Sequence, residues 1–195
     1  GNFETYVFVA AHESDAITIY ALTETGWARV GVVQDDELAG DTVPSFLDQP
    51  QSMAIDLSRD LLVVGNNAAE SDDSVASISL IDLSGLNAST EATPGLYASD
   101  TELIDGSVLP AAVSGEDDYT LSLSGRVSVA LYEDYLYVGD YSEGTMVVLD
   151  IGDPSAPSFV RALVDDNDGV ESLGSVAALE VDSDRALLFS TATGD

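Results

Sequence analysis

The chain has 195 residues, 45% of them hydrophobic, with 36 acidic and 5 basic side chains and a formal net charge of −31. That much apolar residue excludes a disordered acidic tail, so the charge rides on a folded body large enough for a real core. Phosphate backbones and anionic membrane surfaces are repelled by such a charge, which leaves cations, cationic ligands and proteins as partners.

All five basic residues are arginines: Arg29, Arg59, Arg126, Arg161 and Arg185. Lysine is absent, and an acidic surface of this kind fits a saline or marine medium. There the Debye length falls from about 10 Å at 0.1 M to about 3 Å at 1 M, relieving self-repulsion. No cysteine is present, which excludes disulfides, thiolate zinc sites and thiol catalysis. No apolar run approaches 18 residues, so no helical membrane insertion is expected. The chain reads as extracellular, periplasmic or cell-surface.

From the N-terminus, YVFVA (6–10) is a short apolar run, followed by the polar HESDA and a second run, ITIYAL (17–22). WARVGVV (27–33) adds a third strand after the turn TETG. After the acidic stretch 34–49 come SMAIDL (52–57), the turn SRD and LLVVG (61–65). NNAAESDDS and VASISLIDL (75–83) complete the unit's next hairpin. Residues 86–125 break the period and read as an insertion. VSVALY (127–132), the turn ED, LYVGD (136–140), YSEG, TMVVLDI (145–151) and SFVRALV (158–164) then form the most complete unit. VAALEV (176–181), DSDR and ALLFS (186–190) begin another.

These runs are short, β-branched and aromatic, separated by turn residues, and no segment carries a sustained 3.6-residue amphipathic period. The expected fold class is therefore all-β. Read as strands a, b, c and d, the units are β-propeller blades of four antiparallel strands. They divide into a partial blade over 1–33, a blade over 50 to about 110 carrying the 86–125 insertion, a blade over 126–164, and a partial blade over 173–195. The apolar b runs suit strands covered on both faces by neighbouring blades. The strand count is b-c-d, two full blades, then a-b. It forms an incomplete ring, and further blades from this chain or another are expected to close it.

LYVGDYSEGTMVVLDIGDPSAPSFV (136–160) resembles the LVIVD-type propeller repeat, with its strand, short turn, strand and D-P-S-x-P turn. YVFVAAHESDAITIYAL (6–22) resembles the related YVTN-type repeat. The resemblance implies the propeller fold and leaves the role open, since such repeats serve many functions. Some relatives are lactonase-like hydrolases.

In an a-b-c-d blade the b–c and d–a loops share one end. Here those loops are long and acidic, whereas Arg59 and Arg185 fall in turns at the opposite end. Loops on a rigid scaffold are where binding concentrates. His12, Asp15, Asn66, Asp140, Tyr141 and Glu143 are the candidate partner-binding residues on that rim. Asp165, Asp166 and Asp168, within DDNDG, are the candidate metal ligands. Calcium is the first cation to consider, because it takes 6–8 oxygen ligands. An EF-hand is rejected: setting Gly169 as its glycine puts Val164 and Ser175 at the first and twelfth ligand positions.

His12 is the only histidine, and neither G-x-S-x-G nor a glycine-rich nucleotide motif occurs. No catalytic or cofactor-binding residue is assigned. The leading reading is a non-enzymatic scaffold or binding module whose acidic loop face takes a partner or cations. The alternative is part of a propeller hydrolase with a metal-assisted site.

Overall fold

The computed structural model describes residues 5–34, 47, 49–67, 76–84, 103–105, 123, 125–142, 144–164 and 173–193. Thirteen strands are placed there, with one 3-10 turn at His12–Ser14. They form four antiparallel sheets in strict chain order. The first holds β1 (Tyr6–Ala11), β2 (Ala16–Thr23) and β3 (Gly26–Gln34). The second holds β4 (Pro50–Asp56), β5 (Leu61–Asn66), β6 (Ser77–Asp82) and β7 (Leu103–Asp105). The third holds β8 (Val127–Tyr132), β9 (Tyr135–Asp140), β10 (Thr145–Asp150) and β11 (Ser158–Val164). The fourth pairs β12 (Ser175–Asp182) with β13 (Leu187–Thr193).

Each sheet is an up-and-down meander, as a propeller blade requires. The second blade takes its d strand, β7, from within 86–125: Ser77, Ile78 and Ser79 of β6 lie opposite Asp105, Ile104 and Leu103.

Three hydrophobic cores lie between successive sheets. Ile17, Ile19 and Val30 of the first sheet meet Leu62, Val64 and Ile81 of the second. Leu61, Val63 and Ile78 on the second sheet's other side meet Val127, Val129, Leu136 and Val138 of the third. Ala130 and Met146 of the third, with the half-buried Tyr137, meet Val176 and Leu179 of the fourth. Period-2 alternation sends odd and even residues of β5 into different cores. Both faces are therefore covered, and all six residues of β5 are buried. This is the physical reason for its uninterrupted apolar run.

The sheets also touch through backbone. A Cβ on Gly65 would sit 2.8 Å from the Val127 carbonyl oxygen and 2.5 Å from Ser52 Oγ. Gly139, at the matching place in the third blade, faces the Val176 side chain and Ser128 Oγ in the same way. Both glycines allow the b strand of one blade to approach the a strand of the next. Ser52 Oγ also donates a 2.7 Å hydrogen bond to the Val127 carbonyl, stitching the two a strands together.

Candidate functional site

The a strands β4, β8 and β12 stand beside one another and line an open cavity of about 210 Å³. Its wall is Met53, Ala54 and Ile55 from β4, Val129, Ala130 and Leu131 from β8, and Leu179, Glu180 and Val181 from β12. Glu180 is the single ionisable side chain on that wall. Among the described residues no group of three or more His, Cys, Asp or Glu is close enough to hold a metal ion.

The rim residues lie where the b strands turn into the c strands. His12 is exposed in the 3-10 turn between β1 and β2. Asp15 closes that turn with a left-handed backbone (φ 44°), which aspartate tolerates better than most side chains. Its Oδ1 accepts a 2.7 Å hydrogen bond from the Gln49 backbone N–H, at the entrance to the second blade. Gln49 continues the link: its Oε1 accepts from Asn67 Nδ2 at 3.2 Å.

Asn66 and Asp140 occupy matching positions at the ends of β5 and β9, and both are buried, at 0% and 1% exposure. Asn66 Nδ2 donates to Ser79 Oγ at 2.9 Å and lies 3.1 Å from Ser77 Oγ. Asp140 Oδ1 accepts the Ser142 N–H at 2.7 Å, folding the start of the b–c turn back on the strand. Both side chains are thus engaged in shaping the blade end. Tyr141, next to Asp140, is half-buried. The Arg126 guanidinium lies 5.8 Å from the centre of its ring, a cation–π distance. Its hydroxyl is 3.3 Å from Thr193 Oγ1 at the end of β13. Glu143, Asp165, Asp166 and Asp168 lie outside the described residues.

The described rim residues are spread over the b–c turns of three blades. Asp15 joins the first blade to the second, and Tyr141 joins the third to the fourth, so part of the rim's polarity serves blade-to-blade attachment.

The opposite end holds the residue that composition alone hides. Arg59, in the β4–β5 turn, pairs through Nε with Asp56 Oδ2 at 2.6 Å. Its Nη2 donates to the Glu133 carbonyl at 2.8 Å and its Nη1 to the Ile151 carbonyl at 3.3 Å. Asp134 Oδ1 stands 3.4 Å from Nη1. One guanidinium therefore spans from its own turn to the turn ends of the next blade, using the planar fork that arginine offers. At Asp56, burial raises the carboxyl pKa, but hydrogen bonds from Ser58 and Arg59 and the Arg59 charge outweigh it, and the net shift is downward. Asp153 is also held low by hydrogen bonds from the Ser155 side chain and backbone. The signal for Arg59 was present in the sequence as D-L-S-R, repeated as D-S-D-R at 182–185.

Sheets stacked by their a strands around an inner wall define a β-propeller arrangement. Residues 126–164, the third blade, match the family model of the LVIVD repeat. No significant match was found among curated proteins. Among solved structures, the chain is similar to a crystal structure of a protein from Lactobacillus plantarum, at 15% identity and TM-score 0.50. That alignment covers 90% of this chain and 41% of the other. It is also aligned with the periplasmic gluconolactonase of Pseudomonas aeruginosa, at 12% identity and TM-score 0.37, covering 87% of this chain and 55% of that one. The chain thus spans less than half the length of the first of these proteins.

Proposed function

We propose that this propeller is an extracellular or cell-surface binding scaffold that takes a cationic ligand or protein partner at its b–c and d–a loop end. The observation that carries this reading is topological. Antiparallel order sends every b–c and d–a connection out of the same end of the blades. Those connections contain QDDELAGD, ESDD, GEDD and DDNDG. Arg59 and Arg185 sit in a–b turns at the other end. A rim with that charge raises the local concentration of cations and speeds their encounter. Glu180 is the single ionisable side chain on the inner wall formed by β4, β8 and β12.

Calorimetry on the chelator-treated protein tests this, with calcium and with a lysine-rich peptide as separate titrants. Neutralising Asp165, Asp166 and Asp168 to asparagine weakens binding of at least one titrant, and the effect shrinks as salt rises. Asp153→Asn, at the opposite end, leaves binding unchanged. Equal losses from both sets, or no heat with either titrant, would remove the rim from consideration. Turnover of a sugar lactone, abolished by Glu180→Gln, would replace this reading with a hydrolytic one.

A further inference from the structure

We propose that Asp56 and Arg59 form an acid-released clasp at the turn end of the junction between the second and third blades.

One turn makes the clasp and two chain segments receive it. Arg59 stands between β4 and β5 and reaches the β8–β9 turn and the residue after β10. Its Nη2 donates to the Glu133 carbonyl at 2.8 Å and its Nη1 to the Ile151 carbonyl at 3.3 Å. Ile151 donates its own N–H to the Asp134 carbonyl at 2.7 Å, so the guanidinium lies on a closed corner of the third blade. The clasp caps the end of a shared core, in which Leu61 of the second blade and Ile151 of the third are both fully buried.

Asp56 aims the guanidinium. Its Oδ2 accepts from Arg59 Nε at 2.6 Å. Its Oδ1 accepts from the Ser58 N–H at 2.9 Å, the Ser58 hydroxyl at 2.6 Å and the Arg59 backbone N–H at 3.3 Å. Both oxygens are therefore already surrounded by donors. A proton added to Oδ2 meets the Nε–H, and one added to Oδ1 meets two backbone N–H groups. Either way the fork loses its anchor and the arginine regains rotamer freedom.

The other charged groups around the clasp hold it less firmly. Asp134 Oδ1 stands 3.4 Å from Nη1, but this side chain is 66% exposed, where an ion pair is weak. Glu133 contributes its carbonyl, and Asp60 follows Arg59 in the turn. Asp150 is turned to the Gly152 N–H at 2.9 Å. Asp82, opposite Leu61 on β6, is turned to the Ser84 N–H at 2.7 Å.

Burial raises the Asp56 carboxyl, but its hydrogen bonds and the Arg59 charge bring it below the ordinary aspartate value of 3.8. The clasp is complete above the unfolded value and is lost as pH falls through the folded one. At the loop end the same junction is tied by Ser52 Oγ to the Val127 carbonyl at 2.7 Å, a bond between groups that do not titrate. Acid thus frees one end of the junction and leaves the other tied.

Hydrogen exchange on the 195-residue chain tests this. As pH falls from about 6 to about 2, the Ile151 amide loses protection before the Val138 amide at the centre of β9. Simultaneous loss of the two overturns the proposal. At about pH 7, Asp56→Asn lowers Ile151 protection at least about tenfold, and Arg59→Gln lowers it as much. The double variant goes no further, because each change opens the same clasp. Asp153→Asn removes a carboxylate bonded to Ser155 within its own turn and leaves Ile151 unchanged. Full Ile151 protection in Asp56→Asn, or a double loss equal to the product of the two single losses, overturns the proposal, since Asp56 then shapes only its own turn. The acid series uses the parent chain and decides the matter even where a variant does not fold.

Discussion

Gly65→Ala tests the blade-to-blade contact most directly. The added methyl would lie 2.5 Å from Ser52 Oγ, 2.8 Å from the Val127 carbonyl oxygen and 3.3 Å from Val127 Cγ1. The serine can rotate away, but its Oγ donates the 2.7 Å bond to that same carbonyl. Relief of one clash therefore breaks a hydrogen bond, and the carbonyl clash remains until the two blades separate. Overpacking of this kind costs about 1–3 kcal/mol, and the lost bond about 1 kcal/mol. Alanine's smaller unfolded-state freedom returns about 0.5–1 kcal/mol. The net loss is about 1–3.5 kcal/mol, or about 2–14 °C in midpoint for a chain of this length. Thermal unfolding followed by circular dichroism reads it. Ser52→Ala alone costs about 1 kcal/mol. The double variant loses less than the two single losses combined, because deleting Oγ removes one of the clashes that the methyl creates. A Gly65→Ala midpoint within about 1 °C of the parent, or strict additivity, would refute the close-approach reasoning.

Arg59→Gln lowers stability by about 2–3 kcal/mol through the Glu133 and Ile151 carbonyls. Asp134→Asn, removing only the 3.4 Å contact to a carboxylate that is 66% exposed, costs less than about 0.5 kcal/mol by denaturant titration. Asp56 titrates below its ordinary value in the folded chain. Its contribution is therefore complete above the unfolded carboxyl pKa and is lost as pH falls through the folded one. Asp56→Asn flattens the acid limb of a stability-against-pH curve below about pH 4, and an unchanged limb would contradict the shift. Tyr141→Phe changes the midpoint by less than about 2 °C, since its hydroxyl contact is long and exposed. A larger drop would show that the Thr193 contact carries more of the attachment. Finally, the midpoint rises between low and molar salt as self-repulsion among the carboxylates is screened. A flat response would undo the saline-medium argument.

The strands were readable because their signals are local. LLVVG and LYVGD are β-rich runs with apolar residues on both faces, and such runs are stable only between two other layers. Turn chemistry was equally local: D-x-x-R and the two-residue ED turn mark the a–b corners without reference to distant residues. The d strand of the second blade was not legible. Leu103–Asp105 is three residues long, and it is chosen by register with β6, not by any pattern of its own.

The rim divides in the same way. That His12 and Tyr141 sit in b–c turns follows from strand order, which the alternation of runs already implied. Whether a polar residue at a strand end faces solvent or its own blade does not follow. Asn66 and Asp140 look like rim groups in the sequence but lie buried, because serine hydroxyls and a turn N–H stand where their side chains point.

By itself, then, the sequence determined an all-β chain of repeated blades and the turns between their strands. Tertiary structure alone decided which glycine meets which carbonyl, that Arg59 spans two blades, and that β4, β8 and β12 line one inner wall. The physical reason is range. Propensity and turn preference act over a few residues. Contacts such as Ser52 with Val127, or Arg59 with Ile151, join positions 75 and 92 residues apart, and these exist only once the blades have stacked.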